Sequence, residues 1–219
     1  MKVINLGANN SIINQFVAEL RDVNIQKDRM RFRNNVRRIG NLMAYEISKT
    51  LKYKETEVIT PLATAKMNLP IDNIVIGTVF RAGLPFHQGF LDIFDQAGNA
   101  FLSAYRYYTD RECNNIDVHI EYIATPDLYK KTFILVDPML ATGESLILAH
   151  KAFVTKGVPK KIILASVIAT EEGVARLNEK FPNTNIVLYT AAIDPILNDH
   201  KYIVPGLGDA GDLMYGEKL

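Results

Sequence analysis

Short apolar runs alternate with helical stripes through the second half of the chain. Residues 133–136, 161–169 and 185–191 are runs of mainly apolar side chains, as expected for strands buried on both faces of a parallel sheet. Between them, residues 146–152 and 171–180 carry the pattern of helices. Strands that alternate with helices predict right-handed βαβ units. The expected fold class is therefore α/β, with a mostly parallel central sheet flanked by helices.

The first half of the chain carries longer helical stripes. In residues 11–20 and 28–51, apolar side chains recur every three or four positions, which predicts an N-terminal helical segment of two helices. Residues 74–79 are a β-branched run and predict another central strand. Residues 85–94 predict the next helix, which tolerates Pro85 in its first turn.

Two further strands are predicted in the middle of the chain, at residues 100–108 and 117–122, and the second alternates regularly between apolar and polar side chains. The pattern of strands and helices ends near Ala191, so most of the core is expected upstream of that residue. Cutting the chain after Val204 is therefore expected to leave the fold intact.

Composition limits the possible classes of protein. A chain of 219 residues can bury a substantial core, so residues 1–219 are expected to form a single domain. With 25 basic and 24 acidic residues the net charge is +1, which offers no general field for nucleic acid or a membrane surface. The single cysteine, Cys113, excludes an intramolecular disulfide and is expected to be an ordinary loop thiol. No apolar run has the length of a signal-peptide core or a membrane span, so a cytoplasmic location is expected.

Candidate chemistry concentrates where the strand at residues 133–136 ends. Asp137 follows this strand, and Thr142, Gly143 and Ser145 precede the next helix. Unpaired main-chain N–H groups and the helix dipole make such a junction an anion site, suited to a phosphate monoester. Asp137 is then placed to face a ribose diol or a bound metal. The alternative is that the loop only caps a helix.

Three blocks of the sequence resemble one known family. They are Val136–Ser145 (VDPMLATGES), Phe80–Leu84 (FRAGL) and Tyr202–Asp212 (YIVPGLGDAGD). The blocks are similar to those of the uracil phosphoribosyltransferases, which have the type I phosphoribosyltransferase fold, and weaker similarity extends over nearly the whole chain. The resemblance implies transfer of the 5-phosphoribosyl group from phosphoribosyl pyrophosphate (PRPP) to N1 of uracil, giving UMP and pyrophosphate in pyrimidine salvage. It also implies Mg²⁺, held mainly by PRPP and water rather than by protein side chains.

The resemblance assigns roles to individual residues. The implied catalytic residues are Asp209, Arg106 and Asp137. The implied uracil site uses mainly main-chain groups of a C-terminal base-binding loop, at Ile203, Gly208, Asp209 and Ala210. A β-hairpin with its tip at residues 109–115 is implied to close over PRPP as a lid. The implied PRPP site consists of Arg81, Arg106, Asp137, Pro138, Met139, Leu140, Ala141, Thr142, Gly143, Glu144, Ser145 and Asp209.

Four residues depart from the family pattern. Pro85 and Glu144 stand where glycine is usual, and Tyr107 and Tyr108 stand where acidic residues are expected just after Arg106. A carboxylate beside a phosphate loop would repel the ligand if it pointed inward. Main-chain N–H groups bind phosphate whatever the side chain, so we predict that Glu144 points away from the phosphate. Two competing functions stay open at this point: a nucleotide-sensing regulator that has lost turnover, and a phosphoribosyltransferase for another base.

The resemblance also concerns partners. Some members of the family are activated by GTP and basic N-terminal segments take part, and members commonly form dimers, so a GTP effector and a homodimer or higher homo-oligomer are implied. A basic cluster lies at the start of the long predicted helix. It is either an exposed face beside a buried stripe or a regulatory anion site. The cluster consists of Lys27, Arg29, Arg31, Arg33, Arg37 and Arg38.

Overall fold

The computed structural model describes residues 1–108, 116–182 and 185–218. For residues 104–108 and 116–119 it describes the backbone alone. Strands and helices are numbered in chain order. The strands are β1 (Lys2–Asn5), β2 (Tyr53–Ile59), β3 (Thr64–Pro70), β4 (Ile74–Val79), β5 (Gly98–Tyr108), β6 (Ile116–Ala124), β7 (Thr132–Val136), β8 (Met139–Leu140), β9 (Lys161–Thr170), β10 (Val187–Asp194), β11 (Ile196–Leu197) and β12 (Ile203–Val204). The helices are α1 (Ile12–Arg21), α2 (Arg29–Ser48), α3 (Gly83–Leu91), α4 (Glu144–Val154), α5 (Glu171–Lys180) and α6 (Ala210–Tyr215).

The central sheet has the strand order β1-β10-β9-β7-β4-β5-β6, and β8 pairs with the end of β9. Neighbouring strands are parallel except for β5 and β6, which are antiparallel. The predicted fold class, a mostly parallel sheet flanked by helices, is confirmed. β5 and β6 are the strands of the predicted hairpin. Its tip at residues 109–115, which includes Cys113 and the predicted lid, lies outside the described residues.

Helices cover both faces of the sheet because the strands carry apolar side chains on alternate sides. In β7, Ile134 and Val136 belong to the same core cluster as α1, α2 and α3, whereas Phe133 and Leu135 belong to the cluster of α4 and α5. All five residues of β7 are buried. The prediction that this strand is buried on both faces is therefore confirmed.

The predicted helices lie close to their expected bounds. Ser11 caps α1 and Asp28 caps α2, each by accepting a hydrogen bond from a main-chain N–H group in the first turn. α3 begins at Gly83, two residues before its predicted start, and Pro85 lies in its first turn as expected. No helix in the described ranges combines the length and the apolar character needed to cross a membrane.

The sequence predictions lack the edge strand β1 and the antiparallel ribbon of β2 and β3. β1 has only four residues. The ribbon forms a separate two-stranded sheet in which most side chains are exposed. It therefore lacks the buried stripe from which strands are recognised.

The core continues beyond residue 191, so the prediction that the residues after Val204 form a terminal loop outside the core is wrong. Arg21 of α1 pairs with Asp194 and also donates to the main-chain oxygen of Gly206. A cut after Val204 would remove buried apolar surface, and we expect it to destabilise the fold. The apolar residues of this segment that are buried in the cluster of α1 and α2 are Leu207, Ala210 and Met214.

The basic cluster at the start of α2 is partly engaged by the protein itself. Arg31 makes two hydrogen bonds to the buried carboxylate of Glu19. Arg37 makes two hydrogen bonds to Asp92, close to the end of α3. For these two arginines the structure favours the first interpretation, an exposed helix face beside a buried stripe, over a regulatory anion site.

Candidate active site

A cleft opens at the carboxyl ends of β4 and β7, which are parallel neighbours in the sheet. The chain leaves β4 through α3 towards β5, but it leaves β7 through α4 towards β9 on the opposite side. The two connections diverge, and open α/β sheets bind their ligands at such a switch point. The cleft has a volume of about 760 Å³, within the range of about 300–1,000 Å³ typical of small-molecule sites.

The segment after β7, residues 137–145, is named the phosphate loop. The carboxylate of Asp137 accepts a hydrogen bond from the Met139 N–H group at 3.1 Å. The main-chain oxygen of Pro138 accepts hydrogen bonds from the N–H groups of two residues in β9, and β8 then pairs with β9. These bonds fix the first half of the loop to the sheet, so that its second half is held at the cleft.

The second half of the phosphate loop has the properties of an anion site. Gly143 caps α4 with a φ of 80° and no side-chain hydrogen bond, a conformation that favours glycine. The main-chain N–H groups of Thr142 and Gly143 donate no hydrogen bond to any residue in the described part of the chain. Unpaired donors at the positive end of a helix dipole attract a phosphate group. This geometry favours the phosphate interpretation over a simple side-chain cap.

The Asp137 carboxyl group lines the same cleft. Burial raises its pKa to about 6, and the hydrogen bond from the Met139 N–H group acts in the opposite direction. The group is therefore mainly ionised at neutral pH. A half-buried carboxylate in a cleft can accept hydrogen bonds from ligand hydroxyls, and such shifted groups are common at functional sites.

Helix α5 supports the phosphate loop from behind. The hydroxyl group of Thr170, the N-cap residue of α5, donates to the main-chain oxygen of Ala141 at 2.6 Å and accepts from the Gly173 N–H group at 2.8 Å. Gly173 is buried, and a Cβ atom there would overlap the same oxygen of Ala141. The position of the loop therefore depends on the absence of a side chain at residue 173.

Replacing Gly173 by alanine should move the phosphate loop away from α5. Because a misplacement of about 1 Å can reduce catalysis about 100-fold, we expect kcat/KM for PRPP, the substrate that the resemblance implies, to fall about 10- to 100-fold. Steady-state kinetics with PRPP varied would measure the change. The control is Asn178→Ala on the same helix, which should leave kcat/KM at the native value. Native PRPP kinetics in a folded Gly173→Ala variant would contradict the role given to Gly173.

Arg81 follows β4 and connects the cleft to the C-terminal segment. One terminal nitrogen of its guanidinium group donates to Asp212 at 2.7 Å and to the main-chain oxygen of Gly216 at 3.1 Å. Its Nε atom is buried and has no hydrogen-bond partner among the described residues. Arg81 therefore anchors the C-terminal segment and keeps a donor available for a ligand oxygen.

The C-terminal block, residues 202–212, lines the opposite side of the cleft. The side chain of Ile203 is buried in the core, so this residue offers its main chain to a ligand. Gly208 has a φ of 90°, which favours glycine and allows close approach of the backbone. Asp209 caps α6, with one carboxylate oxygen accepting from the Asp212 N–H group at 2.9 Å. This bond fixes the carboxylate at the wall of the cleft.

The structure brings most of the predicted site residues to this one cleft. Those that line it are Arg81, Asp137, Met139, Ala141, Ser145, Ile203, Gly208, Asp209 and Ala210. Four residues of the phosphate loop are buried and are not among the residues that line the cleft: Pro138, Leu140, Thr142 and Gly143. Glu144 is paired with Arg176 of α5 and does not line the cleft. The side chain of Arg106 lies outside the described part of the chain.

Sequence reasoning missed three polar residues that line the cleft: Ser103 on β5, Lys201 in the turn between β11 and β12, and Lys218. Lys201 directly precedes the block that begins at Tyr202. It could have been predicted as a site residue from that position. Ser103 and Lys218 have no distinctive sequence context. The two lysines add positive charge to a cleft that is suited to anions.

Comparisons with known proteins identify the family. A family model described as uracil phosphoribosyltransferase matches residues 8–217. A uracil phosphoribosyltransferase from Porphyromonas gingivalis is 56% identical over 219 residues, which cover 100% of both chains. Another of the same name, from Pyrococcus furiosus, is 38% identical over 210 residues, covering 94% of this chain and 87% of the relative. A solved structure of a protein from Aquifex aeolicus covers 99% of both chains, with a TM-score of 0.86 and 30% identity. The chain therefore belongs to the uracil phosphoribosyltransferase family.

Proposed function

We propose that the chain transfers the 5-phosphoribosyl group of PRPP to N1 of uracil, giving UMP and pyrophosphate. The observation that carries the proposal is that one cleft joins the phosphate loop to the C-terminal block. The loop suits a sugar phosphate. The main chain of the block suits the edge of a planar base, because backbone groups offer donors and acceptors at fixed spacing. Membership of the family supports the same reaction.

Binding places the two substrates for a displacement at C1 of the ribose. The N–H groups of the phosphate loop hold the 5-phosphate, and Asp137 accepts hydrogen bonds from the ribose hydroxyls. Main-chain groups near Ile203 and Gly208, with Ala210, orient uracil so that N1 faces C1. Holding the two substrates in a reactive geometry lowers the activation free energy, because their translational and rotational entropy is already lost on binding. The effect reaches about 7–11 kcal/mol in well-oriented systems.

The chemical step develops positive charge on the ribose as pyrophosphate departs. Asp209 stabilises that charge near C1, while Arg81 and Arg106 neutralise the leaving pyrophosphate, so that no covalent nucleophile is required. The proposal for Arg106 depends on the hairpin of β5 and β6 closing over PRPP as a lid.

Mg²⁺ is proposed to enter the site with PRPP. In the described part of the chain, no group of three His, Cys, Asp or Glu side chains is placed to hold a metal ion, and the described carboxylates in the cleft are those of Asp137 and Asp209. These residues fit an ion whose remaining ligands are phosphate oxygens and water, as Mg²⁺ prefers. When bound, the ion would neutralise charge on the pyrophosphate.

A panel of bases tests the proposed substrate. The chain should form a nucleotide from PRPP, Mg²⁺ and uracil, and it should form none at a comparable rate from hypoxanthine, guanine, adenine or orotate. Chromatographic identification of UMP is the readout. A preferred purine or orotate would assign the chain to another base, and the C-terminal block would then need a different ligand.

Replacing Asp137 by asparagine should impair PRPP use but stabilise the unliganded protein. Loss of a charged hydrogen-bond acceptor is expected to reduce kcat/KM for PRPP by about 1–3 kcal/mol. Burial raises the Asp137 pKa from 3.8 to about 6, and one pKa unit corresponds to about 1.4 kcal/mol. The ionised carboxylate therefore disfavours the folded state above pH 6 by up to about 3 kcal/mol. A neutral amide at this position would remove the cost.

The pH dependence separates the two effects of Asp137→Asn. Thermal melts should show a higher Tm for the variant at pH 8, with the gain shrinking as the pH falls from 6 towards 4, because the native carboxyl group is then protonated. The ratio of native to variant kcat/KM should fall below pH 6, and taking the ratio cancels the titration of the substrate phosphates. A Tm gain that does not depend on pH, with unchanged kinetics, would remove Asp137 from the site.

The proposed assembly is a homodimer or a higher homo-oligomer, supported by the ribbon of β2 and β3. A two-stranded ribbon is at best marginally stable alone in water, and clustered exposed apolar side chains mark contact surfaces. Sedimentation equilibrium should give two or more times the chain mass of 24.6 kDa, and a monomer at micromolar concentration would contradict the proposal. The exposed apolar residues of the ribbon and its turn are Tyr53, Val58, Ile59, Leu62, Met67 and Leu69.

A GTP effector is proposed from the family resemblance and from the basic side chains at the start of α2 that form no salt bridge with a described carboxylate: Lys27, Arg29, Arg33 and Arg38. Lysine and arginine side chains suit a triphosphate. Initial rates with GTP titrated at low PRPP are the measurement. Rates that do not change with GTP would exclude an effector role.

A further inference from the structure

A short hairpin carries part of the proposed uracil site to the cleft. It consists of β11 and β12, which pair antiparallel, and its second strand contains Ile203. Each strand has only two residues, and an isolated hairpin is at best marginally stable in water. Ile203 is proposed to bind uracil through its main chain, so the direction of the hairpin decides where those main-chain groups lie. Contacts from the rest of the fold are therefore needed to fix that direction.

An ion pair closes the base of this hairpin. Asp194 ends β10 just before the hairpin, and Gly206 follows it after Pro205. One carboxylate oxygen of Asp194 accepts a hydrogen bond from the Gly206 N–H group at 2.8 Å. Arg21 of α1 donates to both carboxylate oxygens, at 2.7 and 2.8 Å, and to the main-chain oxygen of Gly206 at 3.0 Å. Both main-chain polar groups of Gly206 are therefore held by one ion pair.

Gly206 in turn packs directly against the residue proposed to bind the base. Its φ is 60°, and a Cβ atom at this position would overlap the main-chain oxygen of Ile203, so the backbone approach requires glycine. Gly208, the second residue proposed to bind uracil, lies two positions further along the chain. Arg21 and Asp194 do not line the cleft themselves. They act on a substrate only through the main chain that they hold.

We infer that Arg21 and Asp194 are positioning residues for the base, which fix Gly206 and with it the main-chain groups of Ile203 and Gly208. The inference rests on the proposed function, because that function assigns the base to this block. The Asp194 side chain is 6% exposed and that of Arg21 is 25% exposed, so solvent and salt screen the pair little. The two parallel hydrogen bonds of the arginine fork also give the pair a defined geometry.

The double variant Arg21→Met with Asp194→Asn separates positioning from stability. Arg21→Met alone takes the cation from a buried carboxylate and should lower the Tm, whereas neutralising both side chains should return the Tm towards the native value. The Gly206 carbonyl still lacks its donor in the double variant. We therefore expect kcat/KM for uracil to stay about tenfold below native, with the KM for PRPP near native. A pair with a purely structural role would restore uracil use together with the Tm.

Arg21→Lys provides a second variant that keeps a cation beside Asp194 and should fold like the native chain. A single ammonium group lacks the fork that reaches the carboxylate and the Gly206 oxygen together. The variant should therefore lower kcat/KM for uracil while leaving the KM for PRPP near native. Native uracil kinetics in Arg21→Lys and in the folded double variant would overturn the inference.

The pair of Arg37 with Asp92 is the matched control. It is also bidentate, and neither residue lines the cleft. Arg37→Met with Asp92→Asn should leave the constants for both substrates at their native values. An equal loss of uracil use in this control would show that removing any such pair has the same effect, and it would overturn the inference.

Amide hydrogen exchange decides the role of the pair without turnover. Residues 203–208 should exchange faster in the Arg21→Met, Asp194→Asn variant than in the native chain, while residues 137–145 should exchange at the native rate. Unchanged exchange of residues 203–208 would contradict the positioning role. Failure of the proposed function would look different, because the native chain itself would give no UMP, and the exchange rates would still report whether the pair fixes the loop.

Discussion

Replacing Asp209 by asparagine is expected to lower kcat for UMP formation about 100- to 1,000-fold, with a much smaller change in KM for uracil. The reason is that a carboxylate near C1 stabilises charge which develops only in the transition state. Asparagine keeps the shape and the ability to cap a helix but loses the charge. Steady-state kinetics with uracil varied at saturating PRPP would separate the two constants.

A comparison with Asp209→Ala separates charge from structure. Asp209 caps α6 through a 2.9 Å hydrogen bond from the Asp212 N–H group, and loss of such a cap typically costs about 1 kcal/mol. Alanine should therefore lower both kcat and Tm, whereas asparagine should lower kcat alone. If Asp209→Asn turned over at the native rate, the carboxylate would have no catalytic role and only the cap would remain.

Arg81→Ala should reduce the use of both substrates, with kcat/KM for PRPP falling about 100-fold or more, since charged hydrogen bonds to a leaving group count most in the transition state. The unpartnered Nε of Arg81 is the donor that we assign to PRPP. The nitrogen bonded to Asp212 and Gly216 positions the C-terminal segment, so KM for uracil should rise as well.

Asp212→Asn is the matched control for Arg81. It weakens the anchor of the C-terminal segment but leaves the arginine in place. KM for uracil should then rise about three- to tenfold while the constants for PRPP stay close to native, in line with the modest energy of a partly exposed ion pair. A variant with Arg81→Ala that lost only uracil binding would show that Arg81 does not contact PRPP.

The site around β7 could be predicted from the sequence because its signals are local. Four apolar residues followed by Asp137 indicate a buried strand with an acid at its carboxyl end, and Gly143 lies where the left-handed N-cap of α4 requires it. The loop and the helix N-terminus follow each other directly in the chain. Their arrangement could therefore be predicted without knowledge of the tertiary fold.

Contacts between distant segments could not be predicted in this way. The Arg176 partner of Glu144 and the Gly173 support of Ala141 lie on α5, about 30 residues further along the chain. Their roles depend on how α5 packs behind the phosphate loop, which no local pattern reports.

The end of the fold was underestimated for a related reason. β11, β12 and α6 are only two, two and six residues long, too short to show a period. They are stabilised by tertiary contacts instead, such as those of Arg21 with Asp194 and Gly206. The ribbon of β2 and β3 was not predicted for a different reason. Its strands are long enough to show a pattern, but they bury no continuous face.

Phosphorus NMR of a single reaction mixture tests the central claim most directly. The native chain is incubated with PRPP, uracil and Mg²⁺, and the signals of PRPP, UMP and pyrophosphate are followed with time. Transfer at C1 predicts that PRPP disappears while UMP and pyrophosphate appear in equal amounts, and that both products depend on uracil. A stable PRPP signal together with tight binding of added UMP would contradict the claim and identify the chain as a nucleotide sensor on the same fold.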